Sequence, residues 1–335
     1  LTRLDSPALR APSATIAILV ALACAAIAAL VVALAIGSVP IDFTTVVRGI
    51  ASASDTEAAI VHELRLPRAV AAFATGGLLA LAGALMQVLL RNPLADPYVL
   101  GISGGAATGT LAALLAGFAT AAGPAAFGGA LLSTLLVFGL ARRGGERSAW
   151  TATRLLLTGV VVASGWSALI ALLLTIAPDI QVKGMLFWLI GDMSAVTNPW
   201  PALATLVAAL VVALPLARDL NVLARGDESA LALGVHVPRV TLALYGLAAL
   251  TTAAAVTTAG SVGFVGLVVP HALRLAVGND QRLLLPASAL AGGTLLLLAD
   301  TVARTIAAPI ELPVGVITAL LGVPVFLYLL GRGQR

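Results

Sequence analysis

Gly101-Ile102-Ser103-Gly104 places a serine between glycines, the setting of a serine nucleophile inside a membrane. Such a nucleophile needs a histidine base within hydrogen-bond reach. The chain offers three histidines, His62, His236 and His271. The first two fall in polar segments, so only His271 could serve a buried Ser103. In a chain with 33 glycines the match arises cheaply, and a small-residue packing face explains it better. The same glycines do not form a phosphate loop, which needs a lysine to reach the phosphates. The single lysine, Lys183, lies far away, so the chain has no nucleotide site of its own. One cysteine, Cys24, gives neither a disulfide frame nor a cysteine-based metal cluster. His236, Met185 and Tyr98 are too scattered to form a haem-ligating set. No catalytic residue, cofactor or metal site is expected.

The elements that carry these residues follow from composition. The 335 residues are 60% apolar and 10% charged, with a mean hydropathy of +1.06. A soluble domain has about 25% charged residues. This chain cannot cover its surface with polar groups and is expected to be an all-α integral membrane protein. The +4 charge and pI near 10 come from thinly spread arginines. That pattern sets orientation in a membrane and does not indicate a nucleic-acid partner.

A span needs about 20 mainly apolar residues. Uncharged stretches run over 11–41, 69–90, 97–141, 155–178, 193–217, 240–273, 283–299 and 312–331. Two are long enough for two crossings each, broken at Ala122-Gly123-Pro124 and Gly260-Ser261-Val262-Gly263. About ten transmembrane helices result, the eighth short and carrying Pro270 and His271. The first run is too long for a signal-peptide core and reads as a retained span. With both termini cytoplasmic, fourteen of the 19 cations fall inside and five outside. Leu66-Pro67-Arg68 and Val237-Pro238-Arg239 open the second and seventh spans from opposite faces. Such starts suit an inverted repeat of helices 2–5 and 7–10.

Between the second and third spans lies a polar, proline-broken turn. Arg91-Asn92-Pro93 stops one helix with a cation at its negative end. Asp96-Pro97 starts the next, as N-cap and first helical residue. Gly101, Gly104, Gly105 and Gly109 then give the third helix a face for close contact.

Arg91-Asn92-Pro93-Leu94-Ala95-Asp96-Pro97-Tyr98-Val99-Leu100-Gly101 resembles the signature of FecCD-type permeases. These are membrane subunits of ATP-binding-cassette importers for haem, ferric siderophores and cobalamin. Gly263-Phe264-Val265-Gly266, running on to Pro270-His271-Ala272-Leu273-Arg274, agrees, as does Glu311-Leu312-Pro313-Val314-Gly315. The resemblance implies a single transmembrane permease domain over 1–335 that acts as a homodimer. Two cytoplasmic ATPase subunits would bind ATP and Mg, and a periplasmic or lipoprotein substrate-binding protein would dock outside. The location implied is the bacterial inner membrane, and the mechanism alternating access. Iron chelate is the expected cargo, haem first, then ferric siderophore, with cobalamin as alternative. An ion-coupled secondary transporter would need buried midplane carboxylates, and Asp300 is the only acid inside a span.

The resemblance also assigns partners. On the outer face Arg65, Arg68 and Arg304 can be plain interfacial anchors, with Arg304 paired to Asp300 one turn back. In related importers arginines at these positions dock carboxylates of the binding protein. Inside, 219–238 is the coupling segment. Asp227 is expected to N-cap a short helix with Glu228 in its first turn, ended by Gly234. There Arg225, Asp227, Glu228, Ala230, Leu233 and Gly234 would meet the ATPase. The segment 180–191 and the fifth and tenth spans are expected to line the path. Pro270 and His271 read as bundle packing.

Overall fold

The computed structural model describes residues 12–37, 41–53, 55–142 and 152–332. Among them there are helices and no strands. In chain order they are α1 (Pro12–Ala35), α2 (Phe43–Ala51), α3 (Thr56–Ala59), α4 (Leu66–Leu89), α5 (Ile102–Leu115), α6 (Ala122–Arg142) and α7 (Ala152–Ile176). Then follow α8 (Asp179–Ile190), α9 (Trp200–Leu223), α10 (Asp227–Ala232), α11 (Val237–Ala259), α12 (Val265–Val277), α13 (Gln281–Ala303) and α14 (Val314–Arg332). A π-helical stretch, Ile60–Arg65, leads into α4, and a 3-10 turn, Pro97–Leu100, precedes α5.

Among the described residues eight helices are long and apolar enough to cross a membrane: α1, α4, α6, α7, α9, α11, α13 and α14. The third and eighth apolar helices, α5 and α12, have only 14 and 13 residues. At 1.5 Å per residue each rises about 20 Å, short of the roughly 30 Å hydrocarbon core. Both start inside the bundle. Gly266 of α12 abuts the carbonyl of Leu79 and the ring of Pro97, level with the middle of α4. The residues that launch them, Gly101 (φ 68°) and Phe264 (φ 69°), are both left-handed. Each half places its short helix second: α4, α5, α6 and α7 have 24, 14, 21 and 25 residues, and α11 to α14 have 23, 13, 23 and 19.

The core is built on α4, whose most apolar window is 89% buried, against 6% for α7. Lipid is as apolar as leucine, so helices in it are held by close packing and not by exclusion from water. Small residues make that possible. A Cβ added at Gly76 would lie 2.2 Å from the carbonyl oxygen of Gly292 on α13, and one at Gly83 would lie 1.8 Å from that of Gly266. The glycines expected to form a packing face do so on α5. Gly105 and Gly109 meet backbone of α6, and Gly104 meets Trp166 of α7. Gly101 is not on that face: it is the joint between the 3-10 turn and α5.

Two boundaries differ from expectation. The sixth span begins at Trp200 and not near Met193, because Asp192 and Asn198 turn the chain. Asp192 accepts the backbone N–H and the hydroxyl of Ser194, and Asn198 accepts the N–H of Trp200. At its other end α9 continues through Arg218 and Asp219 to Leu223, so the first residues of 219–238 are helix. Asn221 anchors that extension by donating to Asp280 (2.8 Å) and accepting from the N–H of Gln281 (2.8 Å). The termini and 143–151, with Arg3, Arg10, Arg143, Arg147 and Arg335, lie outside the described residues.

Gly83→Ala should destabilise the bundle by about 1–3 kcal/mol, the usual cost of overpacking. Gly128→Ala on α6, whose added Cβ meets nothing within 4 Å, should be neutral or slightly stabilising. Thermal unfolding in detergent separates the two.

Candidate functional site

Charged side chains gather at the two ends of the bundle, and the broken helices meet between them. At one end Asp42 caps α2, taking the N–H groups of Thr44 and Thr45. The hydroxyls of Thr44 and Thr45 hold its carboxyl down to about 2. Arg48 pairs with Asp55 in solvent at 3.1 Å. Arg65 is buried, and its Nη1 donates to the carbonyls of Leu34 (2.7 Å) and Ala35 (3.0 Å) at the end of α1. Arg304 donates to the neighbouring carbonyl of Ala33.

Arg68 makes the longest-range ion pair at this end. Its Nε and Nη2 hold both oxygens of Asp300 at 2.9–3.2 Å, and Nη1 holds Glu311 at 2.7 Å. Asp300 is 2% exposed. The expected pairing of Asp300 with Arg304 one turn on is therefore corrected. Arg68 faces Asp300 from α4, while Arg304, at the C-cap of α13, reaches back to α1. Glu311, from the third motif, was not singled out by its sequence.

At the other end α10 projects from the bundle. The expected Asp227 N-cap is also corrected: Gly226 (φ 121°) is the N-cap, and Asp227, the first helical residue, pairs with Arg91. Gly234 ends α10 as expected, in a Schellman motif. Its N–H bonds the carbonyl of Leu231 (3.0 Å), and that of Val235 bonds Ala230 (2.9 Å). Arg225 and Glu228 are exposed, Ala230 is buried, and Leu231 and Leu233 are 61% and 67% exposed. Arg91 itself ends α4 in a second Schellman motif, with a left-handed φ of 48° where glycine is usual.

Between the ends, Asp96 caps the 3-10 turn by accepting from the N–H of Tyr98 at 2.7 Å, with Pro97 first in the turn, as expected. The Tyr98 hydroxyl donates to the carbonyl of Val262 (3.0 Å) and accepts from its N–H (3.1 Å). The end of α8 is pinned nearby. Asp192 N–H bonds the carbonyl of Ala259 (2.9 Å), and Gly260 and Gly315 crowd the carbonyls of Trp188 and Ile190. Pro313 lies in the non-helical stretch that leads to Gly315. The segment expected over 180–191 is thus helix α8, pinned at its C-terminal end by Ala259 and Gly260, just before the second motif, and by Gly315 of the third.

Among the described residues no base is brought to Ser103. No hydrogen bond joins Ser103 to His271, whose buried ring lies edge-on to Phe326 at 6.4 Å in α12, next to Pro270. His62 contacts the carbonyl of Gly49. Met185 is fully buried, His236 is exposed, and Tyr98 is taken by Val262. Among the described residues no group of three His, Cys, Asp or Glu could hold a metal ion.

Tyr98 and Gly315 belong to the first and third stretches that carry the resemblance and Val262 directly precedes the second, and a model of the FecCD transport family matches residues 10–332. The chain belongs to that family. Its FecCD relatives include a cobalamin import permease of Halobacterium salinarum, 45% identical over 282 residues, covering 82% of this chain and 74% of that one. A hemin transport permease of Yersinia pestis is 41% identical over 285 residues, covering 81% and 83%. A chain solved in an inward-facing conformation, from an ABC transporter assigned to the metal-chelate type, superposes with a TM-score of 0.83 at 30% identity, over 94% of this chain and 99% of that one. The FecCD assignment makes this chain a membrane transport permease.

Arg68→Ala should cost about 3–5 kcal/mol, because it leaves Asp300 buried without its cation. Glu311→Gln, which removes only the exposed partner, should cost about 1 kcal/mol or less. Denaturation of the purified chain in detergent measures both.

Proposed function

We propose that this chain is the permease subunit of an ATP-driven importer that carries a bulky metal chelate across the inner membrane. The observation that carries the reading is α10. It is a six-residue helix, outside every span, closed at its C-terminal end by a Schellman motif, and it offers Leu231 and Leu233 to solvent beside Arg225 and Glu228. An apolar pair held on a rigid stub suits a cleft in a cytoplasmic ATPase, which would bind the ATP and Mg that this chain has no motif for. The α10 end is then cytoplasmic, in keeping with the arginine bias.

The opposite end would receive the substrate-binding protein. Arg68 and the half-buried Arg304 lie nearest its carboxylates, with Glu311 already on Arg68. Arg65 supports them from below by holding α1. A second copy of the chain would complete the path, with α7, α8 and α14 lining it. The faces of α7 and α14 are apolar and largely uncovered in one copy: Val161, Leu157 and Leu327 are 71%, 62% and 62% exposed. A conduit of such side chains binds cargo weakly, as alternating access requires. Relatives named for cobalamin and for hemin stand at 45% and 41% identity, and both cargoes are tetrapyrrole chelates. Haem is the cargo we place first, with ferric siderophore next and cobalamin as the alternative.

In proteoliposomes holding the permease, its ATPase and its binding protein, ATP hydrolysis should rise with haem-loaded binding protein. It should rise less with the siderophore or cobalamin forms. Preference for cobalamin would overturn the cargo, and uptake that persists without the ATPase would overturn the importer. Leu231→Asp with Leu233→Asp should abolish co-purification of the ATPase while leaving the unfolding temperature of the permease unchanged.

A further inference from the structure

The segment from Arg91 to Tyr98 joins the α10 end of the bundle to the break between α11 and α12, a second route beside α11 itself, which runs from α10 to that break. One end is at the surface, where Arg91 pairs with Asp227 of α10. The other end is inside the bundle, where Tyr98 holds both backbone groups of Val262. Only six residues separate them, and almost every one is fixed. Arg91 and Asn92 N–H groups close the end of α4 on Val88 and Gln87 (3.2 Å each), and Ala95 N–H bonds the carbonyl of Asn92 at 3.0 Å. The Asn92 side chain takes the N–H of Leu94 (2.9 Å), and Asp96 takes that of Tyr98 (2.7 Å). Pro93 and Pro97 lock two more φ angles. Pro97 also touches Gly266 at the start of α12.

A chain so restrained bends little, so displacement at one end must appear at the other. Val262 is where that displacement has consequences. It sits in the break between α11 and α12, next to Gly260, which crowds the end of α8, and Ala259, whose carbonyl holds Asp192. Gly315, at the start of α14, presses on the same end of α8. Two of the three helices assigned to the path therefore converge on the break that Tyr98 grips.

We infer that residues 91–98 form a strut that carries movement of α10 into the broken-helix centre of the bundle, with Arg91 and Tyr98 as its positioning residues. Arg91 takes the load through Asp227, and the Tyr98 hydroxyl delivers it to the backbone of Val262. The inference rests on the reading of α10 as the ATPase-facing helix for its role in transport, but the mechanical link can be tested without that reading. The Arg91–Asp227 pair is solvent-exposed and contributes little stability. Its removal therefore loosens the strut without unfolding the chain.

Backbone amide exchange over 260–264 in the full-length permease, purified in lipid nanodiscs, reads the link directly. Tyr98→Phe deletes the hydroxyl and should speed exchange at Val262. Asp227→Arg, at the far end of the strut, should speed the same amide about fivefold or more, the lower range of inter-site coupling. Adding Arg91→Asp to Asp227→Arg restores an opposite-charge pair and should return the rate towards wild type. Unchanged exchange at Val262 in either single variant, or no recovery in the charge swap, overturns the strut.

In the reconstituted importer, Tyr98→Phe should keep chelate-stimulated ATP hydrolysis while cargo moved per ATP falls about fivefold or more. A wild-type complex without ATP-dependent uptake counts against the importer reading, and the exchange rates then decide the strut alone. Equal cargo per ATP in Tyr98→Phe and wild type overturns its role in transport.

Discussion

In a bilayer every backbone N–H and C=O must find its partner within the protein, and this chain interrupts its helices twice in the middle of the bundle. The hydrogen bonds between Tyr98 and Val262 resolve part of that conflict. One hydroxyl satisfies both the N–H and the carbonyl of a residue that has left α11 and not yet entered α12. The same contact ties the first break to the second. Each broken segment thus supplies what the other lacks, and α5 and α12 can begin at mid-depth without exposing backbone to lipid. The left-handed Phe264 is tolerated in that setting: its side chain packs against Gly322 of α14, where a Cβ would lie 2.5 Å from that of Phe264.

Small residues make the rest of the arrangement possible. With no hydrophobic drive between helices in lipid, the approach of α4 to α12 and α13 depends on Gly76, Gly83 and Gly292, which bring backbone against backbone. That close approach sets the depth of Gly266, and Gly266 in turn sets Pro97 and the turn that carries Tyr98. The glycine contacts and the central hydrogen bonds therefore form one mechanical unit, to which α8 and α14 are attached at Gly191 and Gly315.

Much of this is legible in the sequence, for definite reasons. Spans show because apolar length is a one-dimensional property, and the helix boundaries at Asp96-Pro97 and Gly260–Gly263 show because they carry local turn chemistry, but the depth at which those boundaries sit does not. The face of Gly104, Gly105 and Gly109 repeats at helical spacing. What fails is anything decided by a partner distant in the chain. Asp300 has Arg304 four residues on, the pairing that local rules favour, yet it binds Arg68, 232 residues away. Asp227 has good N-cap chemistry but is claimed by Arg91, so Gly226 takes the cap. Tyr98 gave a weaker signal: a tyrosine in an apolar stretch needs a partner for its hydroxyl, though nothing nearby says which.

The arginines at the α1 end also take on a different character in the structure. A helix leaves its last carbonyls without intrahelical donors, and cations are favoured there. α1 is peripheral, with only 17% of its apolar window buried, so its hold on the bundle is weak along its length. Its end is secured instead: Ala33, Leu34 and Ala35 give their carbonyls to Arg304 and Arg65, and a Cβ on Gly37 would collide with the Arg65 guanidinium at 2.5 Å. Arg68 is similarly committed to Asp300. Any external carboxylate that binds at this end must therefore compete with contacts that hold α1, α4 and α13 together. The contact that gives way most easily is the one with the most exposed partner. Glu311, with its side chain 45% exposed, is that partner, and the stretch it belongs to leads through Pro313 directly into α14.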